Sequence, residues 1–204
     1  MPPFGSAHGE HTPSRYGQAV TAHVLVPVKP LAQAKTRLAS ALSPADRASL
    51  TQEMLDLVLA AVQAAKVGPV TVVSAHPLSL NGVPRFDDGG LPWNEALAQA
   101  MREVVREPCV AVVAADLPLL RSAEVQALVA SVPSRGVAIA RAKDGGTNAL
   151  AMRPPGAIAT LLGAPQSCRL HEEAARRTGL EAVVVDLPGL AFDVDTPEDL
   201  AAWR

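Results

Sequence analysis

Residues 109–115 read Cys-Val-Ala-Val-Val-Ala-Ala, an unbroken apolar run that stops at Asp116-Leu-Pro. A strand with no polar alternation has no face to offer water, so it belongs inside a sheet covered on both sides. Val24 to Val28 and Val70 to Ser74 have the same character. Between these runs lie segments with helical periodicity. Ser43-Pro44 forms an N-cap and first helical position, and Leu50, Met54, Leu57, Val58 and Ala61 follow the 3.6-residue period to about Lys66. Further helices are predicted over Ala32–Ala41, Trp93–Arg106, from a Ser122 cap to Val132, over Ser167–Thr178 with Gly179 after it, and from Thr196 onward. Gly136–Arg141 and Asn148–Met152 read as a hairpin about Lys143-Asp-Gly-Gly146, Val83–Phe86 as a short strand and Ala182–Leu187 as a last one. Strand–helix alternation with one late hairpin predicts an α/β fold, a three-layer α/β/α sandwich on a mostly parallel mixed sheet.

A chain of 204 residues suits one domain. The polar opening through about Gln18, with His8 and His11, reads as a flexible tail over residues 1–21, leaving 22–204 as the folded domain. A net charge of −2 gives no bulk attraction for nucleic acid. No apolar run reaches the roughly 18 residues of a membrane span, and the N-terminus lacks a signal-peptide pattern. Cys109 and Cys168 form neither a metal spacing nor a disulfide framework, Cys109 reading as a small core residue. A cytoplasmic protein with no nucleic-acid or membrane partner is expected. A homodimer is compatible with the sequence, which does not set the oligomeric state.

Chemistry-bearing residues cluster at predicted strand ends. Lys29, Lys35 and Arg37 follow the first strand, where open α/β sheets bind ligands, and a helix start there would add N–H groups suited to phosphate. Asp116 leaves the central strand at the same edge, although Asp-Leu-Pro is also a turn sequence. In an extended Asp193-Val194-Asp195 the two carboxylates share one side, and with Asp116 they offer the hard oxygens that bind Mg²⁺ beside nucleotide phosphates. Asp195 can equally serve as a helix cap. Gly145-Gly146-Thr147-Asn148 and Gly163-Ala-Pro-Gln-Ser167 can cradle an anion, or can be a hairpin turn and an ordinary helix start. His171 lies four residues beyond Ser167, on the same helical face, either near a bound phosphate or facing solvent.

Taken together, Val26-Pro-Val-Lys-Pro-Leu-Ala-Gln-Ala-Lys-Thr-Arg-Leu38, Asp116-Leu-Pro, Gly146-Thr-Asn-Ala-Leu150 and Phe192-Asp-Val-Asp-Thr-Pro-Glu-Asp-Leu200 resemble the 2-phospho-L-lactate and phosphoenolpyruvate guanylyltransferases of coenzyme F-420 biosynthesis. The resemblance covers residues 23–204. It implies a nucleotidyltransferase fold related to GT-A glycosyltransferases, and transfer of GMP from GTP to the phosphate of a three-carbon phospho-acid (phosphoenolpyruvate, 2-phospho-L-lactate or 3-phosphoglycerate) with release of pyrophosphate. It further implies Mg²⁺ on Asp116, Asp193 and Asp195, and phospho-acid contacts from Thr147, Gly163 and Ser167, with His171 nearby. Pro27, Lys29, Lys35 and Arg37 fall in its nucleotide segment, with Asp116, Lys29 and Arg37 as the catalytic set. Asn94, in the position of the family's Gly-Leu-Asn, would read the base edge.

The chain departs from that pattern in two places. Gly163-Ala-Pro-Gln-Ser167 is one residue longer than the family's Gly-Pro-Gly-Ser, and Trp93 stands inside the segment matching Gly-Leu-Asn. Other classes fit less well. Nucleotidyltransferases that build molybdenum-cofactor dinucleotides usually open with a glycine-rich loop, absent from Pro27-Val-Lys-Pro30. A GT-A glycosyltransferase would carry its Asp-x-Asp after a central strand; a non-catalytic nucleotide-binding regulator is the third reading.

Overall fold

The computed structural model describes residues 20–29 and 35–204. Seven strands form one sheet in the order β3-β2-β1-β4-β6-β5-β7. They are β1 (Ala22–Pro27), β2 (Val70–Val73), β3 (Arg85–Phe86), β4 (Cys109–Val113), β5 (Gly136–Arg141), β6 (Thr147–Arg153) and β7 (Glu181–Val185). The helices are α1 (Pro44–Ala65), α2 (Trp93–Glu103), α3 (Ser122–Ala130), α4 (Ser167–Arg177), α5 (Pro188–Ala191) and α6 (Pro197–Trp203). β1 pairs in parallel with β2 and β4, β2 with β3, and β5 with β7, whereas β6 runs antiparallel to both its neighbours, β4 and β5.

Side-chain alternation sorts the core into two layers. Val24 and Val26 of β1, with Ala111 and Val113 of β4, pack with Leu55, Val58 and Leu59 of α1 and Val125 and Leu128 of α3. Leu25, Val110 and Val112 point the other way, joining Ala96, Leu97 and Ala100 of α2 and Ala175 of α4. β4 is fully buried along its length, as its apolar run requires, and the three-layer expectation holds.

A third cluster positions the site. Leu38, Leu50, Met54 and Val194 pack together, with Phe192, Leu200 and Trp203 against them. Leu38 anchors a 3₁₀ turn (Thr36–Leu38), and Val194 lies between two aspartates. Burying these two leaves Lys35, Arg37, Asp193 and Asp195 directed toward the sheet edge.

Several boundaries differ from the sequence expectation. The helix predicted over 32–41 is, in its described part, only the 3₁₀ turn; residues 32–34, like nearly all of the expected tail, lie outside the described residues. Ser122 opens α3 rather than capping it, because the Glu124 carboxylate accepts the Arg121 N–H at 3.0 Å. α5 was not anticipated from its Pro-Gly-Leu-Ala sequence.

Candidate active site

The C-terminal ends of β1 and β4 and the N-terminal end of β6 meet at one sheet edge. Because β6 is reversed, Thr147 and Asn148 open beside Ala114 to Asp116, and the Ala114 N–H donates to the Asn148 carbonyl at 2.9 Å. A cavity of about 570 Å³ lies over this edge, lined among others by Lys29, Trp93, Asp116, Thr147, Gly163 and Asp195.

One end of the cavity is ionic. Lys35 Nζ donates to Asp116 Oδ2 at 2.5 Å and to Asp195 Oδ1 at 2.7 Å. Burial disfavours the ammonium, but the Asp116 and Asp195 carboxylates outweigh it and hold the Lys35 pKa above its ordinary value. The residue sits in the left-handed region, φ 54°, a conformation that costs a non-glycine residue energy and is held here by two ion pairs. Arg37 stands 3.8 Å from Asp195 with its side chain 74 % exposed. Asp193 is turned toward the sheet, where Asn148 Nδ2 donates to its Oδ1 at 3.2 Å. Burial pushes the Asp193 carboxyl up, with Asp116 and Asp195 adding to the rise against the Asn148 hydrogen bond.

The acidic segment is clamped from outside. Asp199 accepts the N–H groups of Asp195 (3.0 Å) and Thr196 (2.9 Å), the second closing a capping box on α6. Lys143, from the β5–β6 turn, pairs with Asp199 and places Nζ 5.0 Å from the Phe192 ring centroid. Burial alone would raise the Asp199 carboxyl, but Lys143 and the two backbone donors draw it down to about 2.

The other end is neutral. Thr147 Oγ1 lies 3.0 Å from His171 Nδ1 and 3.1 Å from Ser167 Oγ, and His171 Nε2 accepts the Leu161 N–H at 2.8 Å. His171 has no exposed surface, and burial pushes its pKa down to about 4. The turn before β6 is tight: Gly145 has φ 84°, and a Cβ there would stand 2.7 Å from the Gln166 amide. Gln166 itself ties the two anion-site candidates together, its Nε2 donating to the Asp144 carbonyl at 3.2 Å.

The structure therefore brings most of the predicted residues to one cavity: Pro27, Lys29, Lys35, Arg37, Asp116, Thr147, Gly163, Ser167, Asp193 and Asp195 all line it. Two do not fit their expected parts. Asn94 donates to the Leu162 carbonyl at 3.2 Å and accepts the Leu162 N–H at 3.1 Å. Bonded through both ends of its amide, it holds the loop before α4 and is not among the residues that line the cavity; Trp93 takes the cavity wall, with Lys29 Nζ 4.4 Å from its ring centroid. His171 is neither solvent-facing nor on the cavity wall, and it reaches the cavity only through Thr147. Asn148, read in sequence only as part of the Gly145–Asn148 turn and the Gly146–Leu150 motif, also lines the cavity and holds Asp193.

Asp116, Asp193 and Asp195 share the cavity without forming a ready cage. Among the described residues no three His, Cys, Asp or Glu side chains stand together at metal-holding separation. The carboxylates of Asp116 and Asp195 nevertheless converge on one cationic centre, the Lys35 ammonium, and an all-oxygen donor set suits a hard divalent ion.

Comparison with known proteins decides the family. The model of the family described as guanylyl transferase, CofC like, matches residues 22–203. The chain belongs to this guanylyl transferase family. It is therefore a nucleotidyltransferase, of a class that generally uses a divalent metal. It is 41 % identical over 190 residues to a phosphoenolpyruvate guanylyltransferase of Sphaerobacter thermophilus, covering 89 % of this chain and 91 % of the relative. It is also 41 % identical over 169 residues to a 2-phospho-L-lactate guanylyltransferase of Haloarcula marismortui, covering 82 % and 78 %. A nucleotidyl transferase structure from Methanothermobacter thermautotroptrophicus superposes with a TM-score of 0.62 at 15 % identity, over 90 % of this chain and 96 % of that one, and shares the fold. Among the described residues no helix is long and apolar enough to cross a membrane.

Proposed function

We propose that residues 22–204 form one cytoplasmic catalytic domain that transfers GMP from GTP to the phosphate of a three-carbon phospho-acid, phosphoenolpyruvate first, as a step of coenzyme F-420 biosynthesis. One observation carries this: a carboxylate pair closed on a lysine and a buried hydroxyl pair line one cavity. In the reaction an oxygen of the acid's phosphate bonds to the α-phosphorus of GTP. The bond from that phosphorus to the bridging oxygen breaks, and pyrophosphate leaves with the electron pair. The nucleophile is already an anion at neutral pH, so no strong general base is required. The barrier is repulsion between two anions, which positioned cations relieve in the transition state.

Asp116 and Asp195, with Asp193 beside them, are the residues that would hold Mg²⁺. When bound, it neutralises triphosphate oxygens and withdraws charge from the α-phosphate. Lys35, Lys29 and Arg37, all on the cavity lining, would meet the triphosphate. Thr147, Ser167 and the Gly163 loop would hold the acid. Gly163, at φ 79°, lets that loop turn where a side chain would be strained.

Phosphoenolpyruvate is placed first because the relative named for it matches more of this chain; the equal identity of the relative named for 2-phospho-L-lactate supports that acid as the second reading. Incubation with GTP and Mg²⁺ plus phosphoenolpyruvate, 2-phospho-L-lactate or 3-phosphoglycerate, with pyrophosphate and product mass as readouts, tests both. The expected result is pyrophosphate release that requires an acid, fastest with phosphoenolpyruvate, and slower with ATP than with GTP. Equal use of ATP would refute the guanylyl preference. Pyrophosphate release without any acid would refute the acceptor.

A further inference from the structure

His171 does not line the cavity, but it hydrogen-bonds Thr147, which does. Its Nε2 accepts the Leu161 N–H at 2.8 Å, and a ring nitrogen that accepts carries no proton. In a fully buried, neutral ring the remaining proton is therefore on Nδ1, which donates to Thr147 Oγ1 at 3.0 Å. Thr147 Oγ1 and Ser167 Oγ lie 3.1 Å apart and share one hydrogen bond. Their two hydroxyls carry two protons. One is used between them; the other, on whichever oxygen it sits, meets no acceptor among the described residues. Thr147 is 8 % and Ser167 1 % exposed, and both line the cavity.

The opposite tautomer would reverse this outcome. With Nδ1 as acceptor, Thr147 would donate to His171 and Ser167 to Thr147, and no proton would remain for a ligand. We infer that His171 is a positioning residue: the Leu161 amide holds it in the Nδ1–H tautomer, which keeps one hydroxyl proton of the Thr147–Ser167 pair free for an acceptor-only oxyanion of the phospho-acid. The inference rests on the reading that this pair contacts the acid. It also explains a histidine kept away from the cavity and from solvent: an uncharged ring sets the donor without adding a cation, and Leu161 couples it to the Gly163 loop.

The tautomer is read directly by side-chain ¹⁵N NMR on the wild-type protein at pH 7. A protonated Nδ1 and a bare Nε2 on His171 are expected; the reverse tautomer, or an imidazolium, overturns the inference. Kinetics test the consequence. A glutamine oxygen can stand where Nε2 stands and keep the Leu161 bond while losing the donor that occupies a Thr147 lone pair and so aims the spare hydroxyl proton at the cavity, whereas an asparagine amide can stand where Nδ1 stands and keep that donor. His171→Gln should raise the acid KM about tenfold, the worth of one hydrogen bond to a charged group, with GTP KM unchanged. His171→Asn should recover most of the loss, and thermal melts should show both variants folded. In a Thr147→Val background, His171→Gln should raise the acid KM no further; an additive loss overturns the inference while leaving the acid at this end. If Thr147→Val alone leaves the acid KM unaltered, the acid lies elsewhere and the underlying placement fails as well. Competitive inhibition by inorganic phosphate and by pyruvate distinguishes which oxyanion is held: the inhibitor weakened by His171→Gln is the group that meets the free proton, and weakening of neither overturns the inference.

Discussion

At the Asp116 end of the cavity a lysine and two carboxylates face one another at 2.5 and 2.7 Å, with Asp195 41 % exposed. At the Thr147 end three neutral side chains share hydrogen bonds and almost no surface. The first arrangement is strong but exchangeable: another cation can replace Lys35 without unpairing a carboxylate. The second cannot exchange partners, because each buried polar atom depends on its neighbour and an orphaned one costs the full desolvation of that group. Charge suits the end where substrates arrive with metal and triphosphate; fixed hydroxyl geometry suits discrimination among small acids.

The contrast is tested most severely at the ionic end. Asp116→Asn and Asp195→Asn should each lower kcat by about 10²–10³-fold, the usual scale for loss of a transition-state electrostatic partner, with little change in melting temperature. Near-wild-type turnover at saturating Mg²⁺ would remove these carboxylates from the chemistry.

At the neutral end the large effect should fall on stability. Burial places the His171 pKa at about 4, below the unfolded value of 6.5. Between those values the unfolded chain binds the proton and the folded chain does not, so stability is full above pH 6.5 and lost as pH falls toward 4. At 1.36 kcal/mol per pH unit the gap is worth about 3 kcal/mol. Urea unfolding at pH 7 and pH 4 should show wild type losing about that much more than His171→Gln. Parallel losses in the two proteins would mean that His171 is charged or exposed in the fold.

The smallest effect belongs to Arg37, exposed and 3.8 Å from its carboxylate. Arg37→Ala should raise GTP KM about threefold, the scale of an exposed ion pair, and leave the acid KM alone. An equal rise in both would show that the two ends do not act separately.

Much of this was legible because apolar runs and strand ends are local signals. β4 and Asp116 follow from seven uninterrupted small apolar residues and the carboxylate after them. The spacing of Ser167 and His171 placed them on one helical face, and they do converge, on Thr147. The burial of His171 was not legible, because it depends on β6 and on residue 161, neither adjacent in sequence. Asn94 is alike: an amide suits a base edge and a backbone loop equally, and its two bonds to Leu162 depend on a contact far away in sequence. Lys35 reads as a free phosphate ligand until the fold brings residues 116 and 195 to it.

Strand β6 makes the site sensitive to length as well as to composition. Thr147 and Asn148 stand at the register shift between β5 and β6, and their side chains part there, the hydroxyl to His171 and Ser167 of α4 and the amide to Asp193. Their pairing with β5 is set by a turn closed by the Ala142 N–H on the Gly146 carbonyl and the Gly145 N–H on the Ala142 carbonyl. Sliding β6 by one residue, about 3.4 Å, would set either Asn148 against His171 and Ala149 against Asp193, or Gly146 against His171 and Thr147 against Asp193. The turn over residues 142–146 thus works as a ruler. Gaining or losing one residue there would scramble the hydroxyl and amide positions in a single step.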